Sequence, residues 1–81
     1  MNAFAGKWHY APQNVTITVK ETDDQVTEIT MSDGRGPFTG FEVDLYAPVL
    51  SARFPDVPEK RSGVLSGDKI YWSNNTIWTR L

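Results

Sequence analysis

The chain has 81 residues, no cysteine and a formal net charge of -2 at neutral pH, which excludes a disulfide framework, a thiolate nucleophile and the basic footprint that nucleic acid or anionic lipid would require. Phe, Trp and Tyr make up 12% of it against a single histidine, so aromatic contact surface outweighs the inventory of acid-base groups. No apolar run approaches the roughly 18 residues of a membrane span, and "MNAFAGKW" lacks the basic and apolar regions of a secretory signal; the expectation is one cytoplasmic domain over residues 1–81 with no membrane partner.

Apolar residues nowhere hold a helical spacing for more than a turn, while alternation is frequent and turn residues recur every 8 to 12 positions or so, which predicts an all-β chain. A first strand around "GKWHYA" ends at Pro12. "NVTITVK" alternates Val15, Ile17 and Val19 against Thr16, Thr18 and Lys20, and after the turn residues Thr22, Asp23 and Asp24 comes "QVTEITM". Asp33-Gly34 with Gly36-Pro37 is the strongest turn signal, because Asp-Gly favours positive φ and proline donates nothing to a ladder. "FTGFEVDLYA" then runs to Pro48 with Thr39, Phe41, Val43 and Leu45 on one face and Phe38, Glu42, Asp44 and Tyr46 on the other, Gly40 marking a bulge or bend. "VLSARF" follows, closed by the 54–58 stretch and a charged loop of Glu59, Lys60 and Arg61. A short "SGVLS" turns at Gly67-Asp68 into a final hairpin, "KIYWSNNTIWTRL". The loops are too short for parallel crossovers, so six to eight short strands form an antiparallel up-and-down meander, and closure into a small barrel removes its raw edges.

In the last hairpin, a two- or four-residue loop centred on Asn74 and Asn75 pairs Tyr71 with Trp78 and Trp72 with Ile77. Ile70, Trp72, Ile77 and Thr79 then face the core. Tyr71, Ser73, Thr76, Trp78 and Arg80 face outward with Lys69, as an amphipathic aromatic patch of the kind that contacts a partner.

Gly6-Lys7-Trp8 in the first strand and Trp78-Thr79-Arg80 in the last resemble the Gly-x-Trp and the late basic residue of calycins, the superfamily of lipocalins, fatty-acid-binding proteins and avidins. The resemblance implies an up-and-down barrel in which Trp8 plugs one end, Arg80 lies across it, and a ligand binds inside.

The chemistry of the chain points to a non-catalytic binding module. Its expected ligand is a small molecule or glycan, held by Tyr71, Trp78 and Arg80 on the aromatic patch or at the barrel mouth near Ser73, Asn74 and Asn75. The alternative is a homodimer built on the Tyr71/Trp78 patch. A third reading is an enzyme using Glu42 and Asp44, two carboxylates two apart on one strand face, or His9; the competing reading of Glu42 and Asp44 is a solvated outer face partnered by Arg53. Lys60 and Arg61 offer a place for an anion. No metal or cofactor is implied: neither Asp23-Asp24 nor the 33–36 turn has the spacing of a calcium loop, and the 34–37 stretch precedes a strand and not a helix N-terminus.

Overall fold

The computed structural model describes residues 3–44, 47–53 and 60–81. Eight antiparallel strands run in meander order: β1 (Gly6–Tyr10), β2 (Val15–Asp23), β3 (Val26–Met31), β4 (Phe38–Asp44), β5 (Pro48–Arg53), β6 (Lys60–Ser66), β7 (Lys69–Trp72) and β8 (Ile77–Arg80). β8 returns to pair with β1, so the sheet closes into a barrel. Closure answers the edge problem of a helix-poor chain, because every strand has a neighbour on both sides. A single 3-10 turn (Ala11–Gln13) joins β1 to β2, with Asn14 in the left-handed region at φ +52°. Among the described residues no helix is long and apolar enough to cross a membrane.

Alternation fills the interior. Trp8, the β2 series Val15, Ile17 and Val19, and Ile29, Phe38, Leu50, Ala52, Ile70, Trp72 and Trp78 are buried together with Phe4. The bore is narrow, and glycine relieves it at two inward positions. A Cβ on Gly40 would stand 2.6 Å from Thr27 Oγ1 and 3.0 Å from Leu50 Cδ1. A Cβ on Gly63 would stand 2.6 Å from Ile70 Cγ2 and 3.0 Å from the Trp72 ring, so the missing side chain is the space the indole occupies.

Three expectations change. β2 continues through Thr22 to Asp23, past the predicted turn, with a register shift between Glu21 and Asp23; the reversal falls at Asp24 and Gln25, the latter at φ +61°. On β4 the inward face is Phe38, Gly40 and Glu42, while Phe41 (55% exposed) and Val43 point outward. Glu42 is therefore half-buried, and its Oε1 accepts the Ala3 N–H at 3.2 Å, which corrects the reading of a solvated outer carboxylate. Leu45, Tyr46 and residues 54–59 lie outside the described set, as do the side chains of Arg53 and Lys60, the latter expected beside Arg61 as a place for an anion.

The third change is in the last hairpin. Trp72 N–H donates to Thr76 O at 2.8 Å and Asn75 N–H to Trp72 O at 3.0 Å, so the loop has three residues, 73–75, with Asn75 at φ +68°. That left-handed position is the one a three-residue hairpin loop requires, and Asn accepts it. An odd loop shifts the pairing by one residue and reverses the second strand's faces. Ile70 pairs with Trp78, and Tyr71 with Ile77. The expected Tyr71/Trp78 outer patch is thus overturned: Trp78 and Arg80 point into the barrel, and Tyr71 and Ile77, 45% and 43% exposed, stand outside.

Candidate functional site

The two ends of the barrel are built differently. At one end the 3–5 segment lies over the opening, with Phe4 and Trp8 fully buried. Trp8 Nε1–H donates to Phe4 O at 2.9 Å. The Arg80 guanidinium sits over the Trp8 ring, Cζ 4.2 Å from its centroid, and donates to Ala5 O at 3.2 Å and Ala3 O at 2.7 Å. With Glu42 of β4 taking the Ala3 N–H, this segment is tied to both sides of the barrel. Gly6, at φ +135°, keeps the space beside Arg80: a Cβ would lie 3.0 Å from Nη1. Arg80, expected both on the outer patch and across Trp8, serves in this plug.

The other end opens into a cavity of about 200 Å³. Its floor is the buried set Val15, Ile17, Trp72 and Trp78. The two indoles, each 5% exposed, meet at 4.7 Å between centroids with planes tilted by 58°, an edge-to-face-like contact that fixes both rings. A half-buried ring of Tyr10, Met31, Arg35, Arg61 and Thr76 surrounds them, and Gln13, Asp33 and Asn74 form an exposed lip.

Local hydrogen bonds set this rim. In the β3–β4 connection, Gly34 N–H donates to Met31 O, Met31 N–H donates to Arg35 O, and Asp33 Oδ1 accepts Arg35 N–H at 3.1 Å. Gly36 (φ +103°) completes the bend where a Cβ would come 2.7 Å from Ile29 O. This holds Arg35 at the mouth, with its Cζ 5.6 Å from the Phe38 ring centroid. Arg61 reaches the mouth by strand parity, sharing the inward face of β6 with Gly63 and Leu65. In the last hairpin, Asn74 Oδ1 accepts Thr76 N–H at 3.2 Å. Ser73 turns away: its Oγ accepts Ser62 N–H at 3.2 Å.

Of the residues expected to bind ligand, Trp78 and Asn74 therefore line the mouth, Asn75 shapes its loop, Ser73 and Tyr71 stand outside the cavity, and Arg80 belongs to the plug. Trp72, Tyr10, Met31 and Arg35 were not foreseen as site residues. Trp72 was assigned to the core face, and parity with Trp8 carries Tyr10 inward as well.

The expected catalytic candidates are not brought together. His9 faces outward on β1, its Nε2 3.1 Å from Asn14 Oδ1. Glu42 is engaged inside the barrel, and Asp44 is exposed at the end of β4. Among the described residues no group of three or more His, Cys, Asp or Glu is gathered as a metal site would need.

Outside, Val43 pairs with Val49, Val49 with Val64, Val64 with Tyr71, and Tyr71 with Ile77. These side chains form one apolar row across β4 to β8, about 19 Å long at the usual strand spacing. The facing wall, β1 to β3, presents Lys7, His9, Thr16, Thr18, Lys20, Glu28 and Thr30 instead.

The fold is a small closed eight-stranded antiparallel barrel, compatible with a calycin-like architecture. Comparison with protein-family models, with curated proteins and with solved structures gives no match for this chain.

Proposed function

We propose that the chain is a non-catalytic binding module that takes a small molecule into the open mouth of its barrel. The observation that carries this reading is the asymmetry of the ends: one is filled by Phe4, Trp8 and Arg80, the other leaves about 200 Å³ above a pair of indoles. At interior packing density that volume takes a molecule of roughly ten non-hydrogen atoms, below the usual range for drug-sized ligands. An apolar floor with a polar rim is the general pattern of small-molecule sites, the floor supplying contact area and the rim fixing orientation. The covered indoles favour a ligand inserted among side chains over a glycan, which stacks on exposed ring faces.

The test is a ligand titration read by the three indole N–H signals in a nitrogen-proton correlation spectrum. A mouth ligand moves the Trp72 and Trp78 signals and leaves Trp8, which is at the plugged end, as an internal control. Saturable shifts confined to Trp8, or shifts in none of the three across saccharides, fatty acids and small aromatics, would overturn the reading.

A second reading is favoured by the outer row: a homodimer that buries Val49, Val64 and Tyr71 at its centre. Two convex walls meet along the middle of such a row, and a chain of this size gains from added apolar burial. Light scattering of the wild type and of Val64→Lys tests it; a monomeric wild type removes it.

A further inference from the structure

We infer that the closed end is a peptide-binding site filled in cis: residues 3–5 are its ligand, and a second copy of this chain fills it with the same segment. The site is separate from the mouth and does not depend on the reading of it.

The segment is held as a ligand is held. Its three successive carbonyls are each taken by a side-chain donor: Ala3 O by Arg80 Nη2 at 2.7 Å, Phe4 O by Trp8 Nε1 at 2.9 Å and Ala5 O by Arg80 Nη1 at 3.2 Å. The Ala3 N–H goes to Glu42 Oε1 at 3.2 Å. Trp8, Glu42 and Arg80 come from β1, β4 and β8, so side chains from separate parts of the wall converge on one stretch of main chain. Those contacts read the main chain whatever residues flank the ring. Selection falls to one side chain: Phe4 is fully buried in the core cluster, whereas Ala3 and Ala5 on either side are half-buried. Main-chain hydrogen bonds for affinity and a pocket for a chosen side chain are the general pattern of peptide recognition. The ligand class is an extended segment with one aromatic residue between two small ones.

Two observations direct the site to a second copy. The end is unfavourable to leave open, because lifting the segment takes the acceptor from the fully buried Trp8 indole N–H and opens a void the size of a phenyl ring. In a reciprocal exchange each of these contacts is re-formed by an identical segment. The joint, moreover, is a glycine. Gly6 turns the segment back over the opening at φ +135°, which an L side chain rarely adopts, and a Cβ there would lie 3.0 Å from Arg80 Nη1. A segment running straight on from β1 has no need of this φ. Three extended residues span about 10 Å, enough to pass from one closed end into another set against it. Exchange of an identical element is a ready route to dimers, the closed and exchanged forms differing in the joint and in the concentration they require.

The experiment uses the full chain and has two arms. In the first, Phe4→Ala is titrated with the capped peptide NAFAG, residues 2–6 of the sequence, and with NAAAG. The expected result is a saturable rise in thermal midpoint and a saturable shift of the Trp8 indole signal with NAFAG, at an affinity roughly tenfold or more above that of NAAAG, while Trp72 and Trp78 hold. The midpoint reports binding even where Phe4→Ala is only partly folded. No response, or an equal response to both peptides, would overturn the inference, since residues 3–5 would then cover the end without being a ligand of it. In the second arm, the parent chain and Gly6→Ala, both carrying Val64→Lys to block association through the outer wall, are followed by light scattering up to about 1 mM, the scale of a tethered segment's effective concentration. Gly6→Ala, strained in the closed form, is expected to dimerise at lower concentration than the parent. A mixture of nitrogen-labelled and carbon-labelled copies should give a cross-peak from Trp8 Nε1–H of one copy to Phe4 of the other. The parent gives the same cross-peak more weakly and needs no hinge variant to fold. Its absence from both proteins, or a dimer that forms without it, would overturn the exchange.

Discussion

Each end of this barrel contains tryptophan and arginine, and the same two residue types do opposite things. At the plugged end Arg80 lies on the Trp8 face and spends its donors on Ala3 and Ala5 carbonyls, so ring, cation and backbone saturate one another. At the open end Trp72 and Trp78 pack on each other, and Arg35 and Arg61 ring a cavity. The difference is chain: a segment lies over the first end, while the described loops at the second, 11–14, 32–37 and 73–76, stop at the rim. What distinguishes the two ends among the described residues is whether a segment of chain lies over the opening and is hydrogen-bonded to the arginine beneath it.

That contrast can be broken, starting with the largest effect. Trp8→Ala removes a fully buried indole and should cost about 3 to 5 kcal/mol, a large share of the roughly 4 to 12 kcal/mol available to a chain of this length. Urea denaturation should show a collapsed midpoint, and a loss under about 1 kcal/mol would deny the plug its role. Arg80→Gln should cost about 2 kcal/mol, given hydrogen bonds from a charged group to backbone, and a loss too small to measure in the same denaturation would remove Arg80 from the plug. Gly63→Ala, which places a methyl against Ile70 and the Trp72 ring, should cost about 1 to 3 kcal/mol as overpacking. Its diagnostic is local: the Trp72 and Trp78 signals move and that of Trp8 holds.

Strand count, antiparallel order and closure were legible because they depend on alternation and turn residues, which "NVTITVK", Asp33-Gly34 and Gly67-Asp68 display openly. The facing of side chains in the last hairpin was not, because it depends on whether the loop is odd or even. Ser73, Asn74 and Asn75 fit either count until Asn75 is seen in the left-handed region. One available signal argued for the observed register. Trp78 and Arg80 are two apart on a strand and share a face, so an Arg80 lying across Trp8 carries Trp78 inward with it. On β4 the difficulty was different. Phe38 lies three residues from Phe41 and five from Val43, so the two-residue period of a strand puts apolar residues on both faces, and pattern alone does not say that Gly40 and Glu42 point inward.

The contact between β8 and β1 pairs just Trp8 with Arg80 and His9 with Thr79, and it is the one strand pairing in the barrel that does not join sequence neighbours. Every other pair is a local hairpin, cheap to form early, whereas this seam brings together groups such as Ala5 and Arg80 that are 75 residues apart in the chain. The Trp8–Arg80 stack therefore sits where order arrives last. Substitutions there should leave the folding rate nearly unchanged and appear almost wholly as faster unfolding, so the plug governs how long the barrel stays shut more than how quickly it assembles.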